Sequence, residues 1–351
     1  MNDRAAPTRA SAGGLRGLSA DDFVRGVEAG DRAVLARAIS LVESISPRHQ
    51  ELADEVLRRL MPRTGRSARV GVTGVPGAGK STFIERAGVM LCESGRRVAV
   101  LAIDPSSAVS GGSILGDRTR MGRLGAMESA YVRPSPSGAT LGGVARRTRE
   151  AALLCEAAGY DVVMIETVGV GQSETLVADM VDCVLNIALP GAGDELQGVK
   201  RGILEVVDVI AVNKADGDNR ERARLAAAEL TSAMRALRAD EHGGVPVLTC
   251  SAATGEGVPE VWGMVERCLS LRRESGELAS RRRSQALRWM HAIIDERVRR
   301  MVTDSTESAR ALRSAEREVL EGTLSPGAGA ARVLAALAAG LSGAERKETG
   351  R

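Results

Sequence analysis

The chain has 351 residues, 44% of them hydrophobic and 26% charged, with a formal net charge of +3; this suits a soluble globular protein of one large α/β domain with helical additions. Aromatic residues are only 2% of the chain, too few to stack single-stranded bases, and its arginines are spread along helices, so no nucleic-acid partner is expected. No apolar leader opens the chain and no run of about 18 uninterrupted apolar residues occurs, so neither export nor a membrane span is expected.

The five cysteines, Cys92, Cys155, Cys183, Cys250 and Cys268, are odd in number and widely spaced. They read as buried thiols in a reducing, cytoplasmic setting. Residues 1–17 lack periodicity and are expected to form a disordered tail. Leu18 to Asp22 looks like a helix start, with Ser19 as N-cap and acidic residues in the first turn. Leu35, Ile39, Val42 and Ile45 recur at helical spacing, Pro47 interrupts, and Leu52, Val56, Leu57 and Leu60 resume. A helical N-terminal region is therefore expected over 18–66.

The apolar run Val70-Gly71-Val72 leads into Gly74-Val75-Pro76-Gly77-Ala78-Gly79-Lys80-Ser81, and Thr82 onward continues with helical spacing. This strand, glycine loop and helix fit a nucleoside triphosphate site. Backbone N–H groups and the helix N-terminus face phosphate oxygens, Lys80 reaches the β- and γ-phosphates, and Ser81 can hold Mg²⁺.

Further short apolar runs follow at 97–103, 161–165, 183–189, 207–213 and 247–250, separated by helical patterns. They predict a mainly parallel sheet with helices on both faces, whose ligand lies beyond the strands' carboxyl ends. Asp104 ends the second run, and Asp117 and Arg120 lie in the glycine-rich stretch after it. Glu166 ends the third run, where the carboxylate of a phosphate-loop protein belongs, and Gly169 stands where a γ-phosphate-sensing glycine belongs. Asp104 or Asp117 can complete the outer sphere of the metal or act as a turn cap. Arg120 or Lys200 can neutralise transition-state charge and Gln172 can orient water, or each can make a surface contact.

Asn213-Lys214-Ala215-Asp216 follows the run at 207–213. The Asp216 carboxylate can accept hydrogen bonds from guanine N1–H and N2–H₂, which adenine does not offer; the Lys214 stem can cover the base, and Asn213 can tie the two loops together. Ser251-Ala252-Ala253 follows the last run and can offer N–H groups to the guanine O6. After about 258 the pattern is helical, with an apolar stripe at Leu287, Met290, Ile294, Val298 and Met301. That stripe packs on the main domain or forms a dimer seam.

The motifs GVPGAGKST, AIDPSS, GGSILGDRTRM, RPSPSGATLGGVARRTREA, ETVGVGQSE, LPGAGDELQGVKRGI, NKAD and SAATGEGV, in this order, resemble those of the methylmalonyl-CoA mutase-associated GTPases, the MeaB/ArgK group. These belong to the metallochaperone-like branch of phosphate-loop GTPases, with glutamate in the Walker B position. The resemblance implies a P-loop GTPase domain over 67–272, a helical dimerisation arm over 273–342 and a tail over 343–351. It further implies a homodimer that binds an adenosylcobalamin-dependent acyl-CoA mutase, gates cofactor delivery and protects the mutase from inactivation. Loops at 105–122, 167–174 and 190–200 would switch between GTP and GDP states, the last reporting to the mutase.

A nickel or cobalt metallochaperone is the competing reading, because it shares the Walker B glutamate. It calls for clustered soft ligands, whereas His49, His242 and His291 are isolated and no two cysteines have chelating spacing. A metabolite kinase conflicts with the NKAD motif.

Overall fold

The structure, a computed structural model, describes residues 17–44, 46–104, 121–136, 141–167, 177–190, 204–237 and 244–348. Residues 1–16 of the tail expected over 1–17 and most of the three loops expected to switch lie outside these residues.

Helix α1 (Ala20–Glu28) starts as its sequence predicts, with Ser19 and Asp22 closing a reciprocal capping box. Asp31 caps α2 (Arg32–Glu43) through the N–H groups of Ala33 and Val34. Pro47 opens α3 (Pro47–Leu60), where its missing N–H costs no intrahelical bond.

The chain then alternates strands and helices: β1 (Ala68–Thr73), α4 (Lys80–Glu93), β2 (Val98–Asp104), α5 (Gly122–Ala126), β3 (Ala130–Pro136), α6 (Leu141–Ala157), β4 (Val162–Glu166), β5 (Cys183–Ala188), β6 (Val209–Val212), α7 (Arg220–Leu237), β7 (Val247–Thr249) and α8 (Val258–Glu274). The seven strands form one sheet in the order β3-β2-β4-β1-β5-β6-β7. Every neighbouring pair is parallel, as the near-continuous apolar runs predict.

Successive residues of each strand serve opposite faces. Val98, Val100, Val162 and Met164 join the core beneath α4 and α8, with Phe83, Ile84, Val261 and Trp262. Ala99, Leu101, Val163 and Ile165 join the other core, with Phe23, Val27, Leu35, Ile39, Val56 and Leu60 of the first three helices and Leu154 of α6. The N-terminal helices are thus one cover of the sheet. Strand β3 does not stand out in the sequence, because Pro134 and Pro136 argue against a strand. Its edge position accommodates them, since edge strands tolerate residues without an N–H.

The amino ends of the central strands are tied by a repeated device. Asp161, Asp182 and Asp208 each precede a strand and accept a main-chain N–H, from Arg97, Arg69 and Val184 respectively, each at 2.8 Å. Asp182 also accepts from Arg282 Nε at 2.8 Å, and Asp208 pairs with Arg272 at 2.6 Å. Burial pulls the Arg282 guanidinium down, but hydrogen bonding and charge from Asp182 outweigh it and hold it above its ordinary value.

The chain divides into two units at Arg282 and Arg283, within helix α9 (Glu277–Asp304). In the second unit α10 (Thr306–Leu320) and α11 (Pro326–Glu348) pack together, with Ala309, Ala315 and Val333 buried. Helix α11 continues to Glu348, into the stretch expected to be a tail. Leu287, Met290, Ile294, Val298 and Met301 of α9 are exposed.

Candidate functional site

The carboxyl ends of β1, β4, β6 and β7 carry the residues singled out in the sequence. In the loop after β1, Gly74, Gly77 and Gly79 have φ of +141°, +78° and +90°, conformations that L side chains resist. An added Cβ at Gly74 would lie 2.1 Å from Ile187 O, and one at Gly79 would lie 2.5 Å from Asn213 Nδ2. Gly74 and Ala78 are buried, Val75 is half-buried, and Pro76 and Gly77 are exposed.

Lys80 opens α4 and is buried, and its Nζ donates to Gly74 O at 2.8 Å and Val75 O at 3.1 Å. Ser81 Oγ donates to Glu166 Oε1 at 2.7 Å, and Thr82 is exposed on the same turn. The register explains the meeting: Val72 of β1 lies beside Glu166 of β4, so the two strands end together. Two oxygen donors at this spacing suit a hard cation such as Mg²⁺. The hydroxyls of Thr73 and Thr167, at the same strand ends, are buried and have no hydrogen-bond partner among the described residues.

Asn213 joins the phosphate loop to the loops after β6 and β7. Its Nδ2 donates to Ala78 O at 2.7 Å, and its Oδ1 accepts from Ala252 N–H at 2.9 Å. The Ala252 N–H expected to serve guanine O6 is thus engaged by Asn213. Lys214 is exposed at φ +61°, a left-handed conformation costing about 1–2 kcal/mol. Main-chain bonds on either side hold it there, from Asn213 N to Ala188 O at 2.9 Å and from Ala215 N to Cys250 O at 3.0 Å. Ser251 Oγ donates to Asp216 Oδ2. Behind this loop the buried Cys250 thiol is pushed up to about 12 by burial.

Asp104 ends β2, two residues beyond Ala102, which lies beside Glu166 of β4. Asp117, Arg120, Gly169, Gln172 and Lys200 lie outside the described residues. Among the described residues no group of three or more His, Cys, Asp or Glu is placed to hold a metal, and no helix is long and apolar enough to cross a membrane. Arg86 is a residue that sequence reading missed. It stands on α4 and donates from Nη2 to Ala253 O at 2.6 Å, but no local motif marks it.

The chain is similar to known proteins. The family model described as methylmalonyl Co-A mutase-associated GTPase MeaB matches residues 35–307. A putative GTPase of Caulobacter vibrioides is 52% identical over 320 residues, 91% of this chain and 98% of that protein. The mitochondrial methylmalonic aciduria type A homolog of Mus musculus is 47% identical over 327 residues, 90% of this chain and 79% of that protein. A crystal structure of an LAO/AO transport system kinase matches with a TM-score of 0.72 at 40% identity, over 90% of this chain and 96% of that one. Sheet order, phosphate loop and these matches agree: the chain is a GTP hydrolase with the P-loop GTPase fold and belongs to the MeaB family of methylmalonyl-CoA mutase-associated GTPases.

Proposed function

We propose that this GTPase is a chaperone for an adenosylcobalamin-dependent acyl-CoA mutase, with methylmalonyl-CoA mutase the first candidate. It gates cofactor delivery and protects the mutase from inactivation. The observation that carries this reading is the family match over 35–307, whose description names association with that mutase. The name of the mouse relative supports it. Adenosylcobalamin belongs to the partner, and this chain binds GTP and Mg²⁺.

In this reading Lys80 exchanges the carbonyls of Gly74 and Val75 for the β- and γ-phosphates. Ser81 Oγ and Glu166 Oε1 hold Mg²⁺, which when bound neutralises phosphate charge; Asp104 and Asp117 act behind them. The N–H groups of the Gly74–Ser81 loop orient the phosphates. Asp216 selects guanine, Lys214 covers the base, and Asn213 keeps the base loop and the phosphate loop in register. Gly169 senses the γ-phosphate, Gln172 orients water, and Arg120 or Lys200 offsets developing charge. The exposed stripe on α9 supports a homodimer contact in the region 273–342, and the five free cysteines suit a reducing cytoplasm.

The test is size-exclusion chromatography of the protein mixed with an adenosylcobalamin-dependent methylmalonyl-CoA mutase, in GDP and in a non-hydrolysable GTP analogue. A complex whose stability differs between the two nucleotides is expected. No complex in either state overturns the proposal.

A further inference from the structure

Arg86 lies on α4, about 9 Å along the helix from Lys80 at 1.5 Å per residue. Besides the bond to Ala253 O at 2.6 Å, its Nε lies 3.5 Å from Ala252 O. Among the described residues it makes no ion pair, so its charge is given to main-chain oxygens. The Arg86 stem also lies against Gly255, where an added Cβ would stand 3.5 Å from Arg86 Cδ.

The peptide unit that Arg86 grips has a second end. In a trans peptide the C=O and N–H point in opposite directions, so a fixed Ala253 C=O aims the Thr254 N–H the other way. That N–H donates to Ser251 Oγ at 3.2 Å, and Ser251 Oγ in turn donates to Asp216 Oδ2. Gly255 N–H closes the loop on Ser251 O at 2.8 Å. The chain of hydrogen bonds therefore runs from Arg86 through the Ala253–Thr254 peptide and Ser251 to the Asp216 carboxylate, each bond polarising the next.

We propose that Arg86 is the positioning residue for guanine selectivity: from α4 it orders the Ser251–Gly255 loop and, through Ser251, aims the Asp216 carboxylate at the base. This rests on the reading of Asp216 as the guanine-recognising group. It also gives α4 two roles, since its first turn carries Lys80 and Ser81.

The experiment is a double-mutant cycle read by GDP affinity, measured by displacement of methylanthraniloyl-GDP from the full chain, with thermal unfolding as a check on the fold. Arg86→Ala is expected to weaken GDP binding about tenfold, the scale of one charge-assisted hydrogen bond. Arg86→Lys, which keeps the charge and one donor, is expected to lose about threefold. In the Asp216→Ala background, Arg86→Ala is expected to add less than about twofold, because the two residues act in series. Additive losses, or an Arg86→Ala protein that binds GDP like the parent, overturn the proposal. If Asp216→Ala loses GDP affinity while Arg86→Ala does not, the role of Arg86 alone falls. If Asp216→Ala also binds like the parent, the guanine reading falls with it.

Discussion

Ser81 Oγ donates a 2.7 Å hydrogen bond to Glu166 Oε1, so the first turn of α4 and the end of β4 meet through the two oxygens that would hold Mg²⁺. Ser81→Ala and Glu166→Gln are each expected to lower Mg²⁺-dependent GTP turnover about 10- to 100-fold. Phosphate release across a Mg²⁺ titration checks this. Two variants that turn over like the parent at every Mg²⁺ concentration would remove both residues from the metal site.

Lys80 Nζ rests on two loop carbonyls, so its loss vacates a buried cationic position in the loop after β1, where the proposed function places the phosphates. Lys80→Ala is expected to abolish detectable GTP turnover while circular dichroism shows the parent's helix content. An unchanged hydrolysis rate would contradict the assignment of Lys80.

Gly74 and Gly77 both have positive φ, but they differ in surroundings. The Cβ of Gly74→Ala would collide with Ile187 O at 2.1 Å, whereas Gly77→Ala meets nothing within 4 Å. Gly74→Ala is expected to destabilise the fold by about 3 kcal/mol or more, and Gly77→Ala by about 1 kcal/mol from backbone strain alone. Urea midpoints measure both. Equal shifts would show that the β5 carbonyl does not set the demand at Gly74.

Burial pushes the Cys250 thiol from 9.0 up to about 12. A folded value above the unfolded one means that the native state holds the proton more tightly. The associated stability is complete below pH 9 and is lost as pH rises from 9 towards about 12. The urea midpoint is expected to fall through that window less steeply in Cys250→Ala than in the parent. Parallel slopes for the two proteins would exclude this linkage.

The sequence displays what is local. Gly74 to Ser81 and Asn213 to Asp216 are legible as motifs because each is contiguous in the chain, and Ser19 is legible because a capping box spans four residues. Arg86 is not, because its acceptors lie 166 and 167 residues away and an arginine on an amphipathic helix reads as solvated surface. Strand β3 escapes because Pro134 and Pro136 lower strand propensity, and only its place at the edge makes them tolerable. Periodicity reveals α1 to α3 as helices, but not that Phe23 and Ile39 close one face of the sheet. Asp161, Asp182 and Asp208 do leave a signal, an aspartate immediately before the first residue of β4, β5 and β6, which becomes meaningful once these strands are aligned in one parallel sheet.

That row of aspartates divides the sheet chemically. At its amino edge Asp182 and Asp208 are already satisfied by main-chain N–H groups, Arg282 and Arg272, so that border has little polar capacity left for another molecule. At the carboxyl edge Lys80 rests on loop carbonyls and the Thr73 and Thr167 hydroxyls lack partners among the described residues. In the proposed function, stabilisation by bound GTP enters the fold at the carboxyl border. Without nucleotide, local opening is expected to start at the carboxyl border, which hydrogen exchange in the presence and absence of GDP would show.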